Sequence, residues 1–347
     1  MSPYVLMIIT TSLLTGTLLT LMSNHWLMAW MGLEINTLAI IPLMTSSHHS
    51  RNTESAIKYF MTQATASMII MFSIIFNASM INQWNITQMY NQWASLLMTI
   101  ALAMKLGLAP FHFWVPEVIQ GTTLLSGMML LTWQKIAPVS ILYQISPSLN
   151  MPLLMTLSIM STALGGWGGL NQTHLRKILA YSSIAHMGWM AIIILIMPSL
   201  TLLNLLIYFA ATITLFMLFN FMNVTKINSL SNLWNKSPTL VIILTMTLLS
   251  LGGLPPLTGF MPKWLILKEL ITYNNIFLAT MLALSALLNL FFYMRIIYSS
   301  TLTMFPSTNN SKLHWTMISK KPSSTIPSLT IVSSLLLPLT PMFIILT

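Results

Sequence analysis

Apolar runs of about twenty residues recur along this chain with little between them, and that is the length a helix needs to cross the roughly 30 Å of membrane hydrocarbon. Eleven such runs fall at about 3–22, 25–44, 57–80, 93–120, 124–145, 151–170, 178–197, 200–223, 238–271, 276–298 and 325–345. In lipid every backbone N–H and C=O must be satisfied within the protein, so runs of this length are read as helices. A mean hydropathy of +0.80, with 56% hydrophobic and 5% charged residues, excludes a soluble globular chain. The expected fold is an all-α polytopic membrane protein with about 11 transmembrane helices.

Lys and Arg in short loops set the sidedness of such a chain. With the N-terminus on the basic side, that side collects Arg51, Lys58, Arg176, Lys177, Lys226, Lys236, Arg295, Lys312, Lys320 and Lys321, and the other side holds only Lys268 beside Glu269. Moving the count by one span would scatter this separation. An odd number of crossings puts the termini on opposite sides. The polar stretch 299–324 reads as a loop on the basic side.

The spans at 93–120 and 238–271 are too long, since 28 and 34 helical residues would reach about 42 and 51 Å. Each contains the same frame. Gly107-Leu108-Ala109-Pro110 is followed after five residues by Pro116-Glu117, and Gly253-Leu254-Pro255-Pro256 after five residues by Pro262-Lys263. Prolines interrupt helices, so both spans are expected to break inside the membrane, where the freed backbone groups need protein or water as partners. The repeated frame divides one membrane domain, 1–347, into a first five-helix repeat (1–146), a second (147–300), and a basic-side loop with an extra helix (301–347). Five crossings per repeat make the second inverted relative to the first, an architecture found in transporters.

Composition narrows the chemistry further. Cysteine is absent, which removes disulfides, thiolate zinc sites and iron–sulfur ligation. Aspartate is absent too, and the acids are Glu34, Glu54, Glu117 and Glu269, too few for a carboxylate metal site. No phosphate-binding glycine loop occurs, and 165–169, rich in glycine, suits close helix packing instead. The net charge of +10 is spread singly between apolar runs, so nucleic acid is not an expected partner. The N-terminal residues lack the features of a cleaved targeting segment, so import by a presequence is not expected.

Charges inside the spans carry the functional expectation. Glu34 lies near the middle of the second span and Lys135 near the middle of the fifth, while Lys105 just precedes the first Pro frame and Lys263 ends the second. Each central charge costs about 2.5–3.5 kcal/mol to insert. Glu34 and Glu117, as a candidate partner carboxylate, face three lysines, which leaves at least one amine able to take up and hand on a proton. His112, within the first frame, and His186, mid-span beside Tyr181 and Ser183, are candidate relays. The alternatives are a structural ion network for the lysines and a helix-to-helix hydrogen bond for each histidine; two deep histidines alone make bis-His haem a weak reading.

All of these residues but Lys135 sit in segments 28–37, 104–117, 176–188 and 251–264, through which the chain closely resembles the NADH dehydrogenase subunit 2 family of mitochondrial respiratory complex I. The likeness extends over the whole length. It implies an antiporter-like subunit of the membrane arm, multi-pass in the mitochondrial inner membrane, N-terminus on the matrix side and C-terminus on the intermembrane-space side. In that family the residue matching Glu34 pairs with the one matching Lys105, and those matching Lys135 and Lys263 continue a central proton path. The resemblance also implies neighbouring antiporter-like, small core and accessory subunits as partners, with lipids such as cardiolipin. No cofactor is expected on this chain; NADH, FMN, iron–sulfur clusters and ubiquinone belong to other subunits. Antiporter-like subunits usually have fourteen helices, and eleven matches the animal form, which lacks three at the N-terminus.

The expected function is therefore proton translocation coupled to quinone reduction elsewhere in an NADH:ubiquinone oxidoreductase. A freestanding cation/proton antiporter and a passive scaffold of the membrane arm are the alternatives, the first separable by ion exchange from the purified chain alone, the second by pumping that survives loss of Lys105 or Lys263.

Overall fold

The computed structural model describes residues 2–46, 48–89, 91–303 and 325–339. Helices run through Pro3–Met22 (α1), Trp26–Met44 (α2), Ser50–Ile81 (α3), Gln92–Leu106 (α4), Trp114–Gly121 (α5), Leu124–Leu131 (α6), Trp133–Ile145 (α7) and Met151–Gly169 (α8). They continue through Leu175–Ile193 (α9), Pro198–Met222 (α10), Leu233–Lys236 (α11), Pro238–Gly252 (α12), Phe260–Thr272 (α13), Ile276–Thr301 (α14) and Thr325–Leu335 (α15). Among the described residues there is no strand. By length and composition α1, α2, α3, α10 and α14 are able to cross a membrane. Lys312, Lys320 and Lys321, most of the expected basic-side loop and the end of the last expected span lie outside the described residues.

Local sequence starts and stops these helices. Ser2 Oγ accepts from Val5 N–H at 3.4 Å with Pro3 at the first helical position, and Asn91 Oδ1 accepts from Trp93 N–H at 3.1 Å. Inside the helices hydroxyls donate back to carbonyls one turn earlier, as Thr20 does to Thr17 O at 2.8 Å and Ser73 to Ile70 O at 2.7 Å. Large side chains such as Tyr4, Met7, Ile8, Phe72 and Phe277 stay outside, as an apolar solvent permits.

The repeated frame has one local structure in both places. Gly107 (φ 73°) and Gly253 (φ 83°) sit in the left-handed region, ending α4 and α12. Each amide turns back to the carbonyls three and four residues earlier, and the next amide closes a wider turn, Leu108 N–H to Ala103 O at 2.9 Å and Leu254 N–H to Leu249 O at 3.3 Å. The chain then restarts as α5 and α13, with Pro116 and Pro262 in their first turns, where no helical acceptor awaits an N–H. A second repeated element was not visible in the sequence. An antiparallel bridge joins His25 to Asn85, through Trp26 N–H to Trp84 O at 3.0 Å and Ile86 N–H to Asn24 O at 3.1 Å. Its counterpart joins His174 to Lys226, through Leu175 N–H to Thr225 O at 3.0 Å and Ile227 N–H to Thr173 O at 3.1 Å.

Two expectations need correction. The third span begins earlier, because the polar segment from Ser50 is already helical and is held by Lys58 between two carboxylates. The fifth is not one helix: Thr132 (φ −114°, ψ −76°) separates α6 from α7, and Pro138 inside α7 cannot donate to the carbonyl of Gln134.

The chain forms two compact units, 1–161 with 191–198, and 162–190 with 199–347. In the first, Ile40, Met44, Ala56, Tyr59, Val118 and Leu130 form a core cluster, while Ile9, Leu13 and Ala39 form another. In the second, the glycines of 165–169 give close packing: a Cβ at Gly165 would crowd Ala185 of α9, and one at Gly166 or Gly169 would crowd Leu288 or Phe292 of α14. Arg295 reaches from α14 to donate to Leu170 O and Gln172 O beyond the end of α8, and Thr258 donates to Ser333 O of α15.

Gly107→Ala and Gly253→Ala each force a left-handed L residue, costing about 1–2 kcal/mol, besides pressing a Cβ onto Val115 or Lys263. Both are expected to lower the thermal unfolding midpoint in detergent. Gly252→Ala, helical and with its nearest neighbour Leu290 at 3.3 Å, is expected not to.

Candidate functional site

The buried lysines fall into two cavities, one in each unit. In the first unit Lys105, in the last turn of α4, is 6% exposed and Lys135, in the first turn of α7, is 5% exposed. Both line one cavity with Asn36, Gln63, Gln134 and Trp114. Its volume for the centre of a water molecule is ≈ 20 Å³, room for about one water. Lys105 Nζ has no hydrogen-bond partner among the described residues.

In the second unit Lys263, in the first turn of α13, and His186 of α9 line a cavity of ≈ 10 Å³ with Asn204, Tyr208, Ser250 and Leu251. His186 is buried and packs on Tyr208 with ring centroids 5.3 Å apart. Lys263 Nζ donates to Leu251 O at 3.1 Å and Gly252 O at 2.9 Å, so the amine caps the end of α12 that the break leaves bare.

Several matching sequence positions line both cavities. Positions 146 apart across the Pro frames pair Lys105 with Leu251 and Glu117 with Lys263. Aligned by the antiparallel bridges, Thr37 matches His186 and Gln63 matches Asn204, and all four line a cavity. The helix end at each break is capped differently. Lys263 caps the second, whereas at the first Trp114 Nε1 donates to Met104 O at 3.2 Å. Lys105 is thereby released from that task.

The carboxylates are placed otherwise than the charge count suggested. Glu117, on α5, accepts from Lys58 of α3 at 2.8 Å, and Lys58 also meets Glu54 at 2.8 Å. Glu117 is thus engaged by Lys58 rather than by Lys105, Lys135 or Lys263. Glu34 is half-buried and accepts from Thr37 Oγ1 at 3.0 Å. It lies near enough for its charge to act on Lys105 and Tyr59 without a direct contact. His112 is 5% exposed within the first break and packs on Phe113 with ring centroids 4.3 Å apart. It lines neither cavity. Among the described residues no group of three or more His or Glu residues is placed to hold a metal.

Sequence reasoning passed over the neutral polar lining: Asn36, Thr37, Tyr59, Gln63, Gln134, Asn204 and Tyr208. A signal was present, since an amide in the middle of an apolar helix, though cheaper than a charge, is costly unless it meets a polar partner. The two amines nonetheless differ in what they support. Lys263→Met strips two carbonyls of their donor and is expected to destabilise by about 1–3 kcal/mol, while Lys105→Met removes an unpartnered amine and is expected to be neutral or stabilising. Thermal unfolding of the two variants in detergent checks the difference.

Comparison with known proteins follows the same lines. The family described as NADH:quinone oxidoreductase/Mrp antiporter, transmembrane, matches residues 23–289, and that described as NADH dehydrogenase subunit 2 C-terminus matches 290–344. NADH-ubiquinone oxidoreductase chain 2 of Didelphis virginiana is 76% identical over 347 residues, covering 100% of both chains. A chain of respiratory complex I from Thermus thermophilus shares the fold with a TM-score of 0.79 at 24% identity, over 93% of this chain and 77% of that one. A chain of the Mrp complex from Dietzia sp. DQ12-45-1b does so with a TM-score of 0.80 at 18% identity, over 87% of this chain and 61% of that one. The fold is thus the all-helical, antiporter-like membrane fold. With both family matches following one another along the chain and a full-length relative at 76% identity, this protein belongs to the NADH dehydrogenase subunit 2 family, the complex I branch of the antiporter-like membrane proteins.

Proposed function

We propose that this chain is a proton-translocating core subunit of respiratory NADH:ubiquinone oxidoreductase, acting through lysines buried at its helix breaks. The observation that carries the reading is the shared cavity of Lys105 and Lys135, two amines buried together with neutral polar side chains and no carboxylate among the lining residues. A site of this kind suits an amine that gains and loses a proton better than it suits a fixed ion pair.

Electrons move elsewhere in the complex. Quinone reduction there alters the field at Glu34, and this changes the affinity of Lys105 and Lys135, and then of Lys263, for a proton. A charge displaced by a few Å at low dielectric acts by several kcal/mol, enough to shift such an equilibrium decisively. At Lys263 the carbonyls of Leu251 and Gly252 hold the charged amine, and His186 beside it is placed to relay. Protons enter from the matrix and leave on the opposite side.

The remaining features follow this reading. Eleven crossings form two inverted five-helix repeats, 1–146 and 147–300, interrupted between α4 and α5 and between α12 and α13, with 301–347 outside the symmetry. The chain lies in the mitochondrial inner membrane with its N-terminus in the matrix and its C-terminus toward the intermembrane space. Its partners are other membrane-arm subunits, antiporter-like, small core and accessory, and lipids such as cardiolipin. NADH, FMN, iron–sulfur clusters and ubiquinone are bound by other subunits.

Replacing Lys105, Lys135 or Lys263 by Met in the assembled complex tests the function. Each is expected to lower quinone-linked turnover by about 10²-fold or more, the scale of a lost proton-transfer group, and to reduce protons moved per electron. NADH oxidation by an artificial acceptor is expected to stay unchanged. Unaltered pumping in all three would leave a scaffold, and sodium-for-proton exchange by the isolated chain would favour a freestanding antiporter.

A further inference from the structure

Two residues beyond Glu34, α2 carries Asn36, whose side chain faces Gly16 of α1. Asn36 is 2% exposed, and neither Oδ1 nor Nδ2 has a hydrogen-bond partner among the described residues. The side chain has little freedom to find one. A Cβ at Gly16 would overlap Asn36 Oδ1, and a Cβ at Gly32 would overlap Thr20 and the Gly16 carbonyl, so α1 and α2 pack closely in the turn before Asn36 and its amide lies against Gly16. The backbone carbonyl of Asn36 is already taken by Gln134 Nε2 at 3.2 Å, which fastens α2 to the turn of α7 that bears Lys135.

Buried amides left unpartnered are rare in folded proteins because each forfeits the hydrogen bonds it makes in water. Here the amide lines the cavity shared by Lys105 and Lys135, beside an amine that also lacks a partner. The cavity has space for about one water, and its walls offer that water several polar groups, the number a buried water needs. A carboxamide presents both donors and acceptors yet does not titrate near neutral pH, so it orients a water without capturing its proton.

We propose that Asn36 is a positioning residue of the proton path, its side-chain amide seating the water that joins Lys105 to Lys135. The inference rests on the lysine path proposed above and adds to it a fixed, uncharged element. Gly16 acts with it, because only a glycine leaves the amide where it stands.

The test uses the assembled complex carrying Asn36→Leu, Asn36→Ala or Asn36→Ser, with Lys105→Met in parallel. Asn36→Leu and Asn36→Ala are expected to slow quinone-linked turnover about tenfold, as misplacement of a reacting group does, and to raise the solvent deuterium isotope effect, leaving assembly and artificial-acceptor activity unchanged. Asn36→Ser, which keeps a donor and an acceptor, is expected to retain most of the turnover and the wild-type isotope effect. If Asn36→Leu fails to assemble, Asn36→Ala carries the same comparison against Asn36→Ser. Wild-type turnover and isotope effect in either apolar variant overturn the proposal, and so does equal loss in all three, which assigns the side chain to packing. Lys105→Met separates this from the underlying reading: pumping intact there takes Lys105 out of the path and removes the pair on which this proposal rests, whereas pumping lost there with an unaffected Asn36→Leu defeats the Asn36 assignment alone.

Discussion

A helix interrupted away from water exposes carbonyls that need a donor, and the answer this chain gives at each of its two breaks decides which of its charged groups are free. At the second break Lys263 is the donor, so its amine is both cap and candidate proton carrier. At the first break the indole of Trp114 caps Met104, and Lys105, on the helix that ends there, is left without a partner. The same backbone frame, with glycine in the left-handed region at the same step, thus holds two amines in different chemical conditions.

Close packing brings these groups together. Between helices in lipid the gain comes from contact and from polar groups, because leaving lipid for protein yields little hydrophobic stabilisation. Glycines at 16, 32 and 121 in the first unit, and at 165, 166 and 169 in the second, bring neighbouring backbone or side chains so near that a methyl group would collide. Small cavities remain where long polar side chains replace aliphatic ones, beside Lys105 and Lys135 in one unit and beside Lys263 in the other.

Few acids are left to neutralise those lysines. Aspartate is absent, and of the four glutamates Glu54 and Glu117 are engaged by Lys58 on the outside of α3 and α5. Glu34 is held through Thr37, close enough to influence Lys105 without binding it. Electrostatic influence without a fixed contact leaves the proton affinity of Lys105 open to a change in the surrounding field.

Much of this was legible in the sequence, because lipid reduces the choices of a chain to a few. Apolar length dictated helices, the repeated Gly–Pro frame marked where α4 and α12 end, and the cost of intramembrane charge pointed to Glu34, Lys105, Lys135 and Lys263. The break at Thr132 was not read, although Gln134, Lys135 and Pro138 just beyond it mark a polar, proline-bearing turn inside that span. Glu117 was assigned to the wrong lysines, because counting charges says nothing about which face of a helix carries them. Only tertiary structure could pair Lys105 with Lys135, give Trp114 and Lys263 the task of capping broken helices, and press Asn36 between Gly16 and the cavity. Those arrangements depend on which helices lie side by side, and hydrophobic periodicity, nearly uniform around a helix in lipid, carries little information about that.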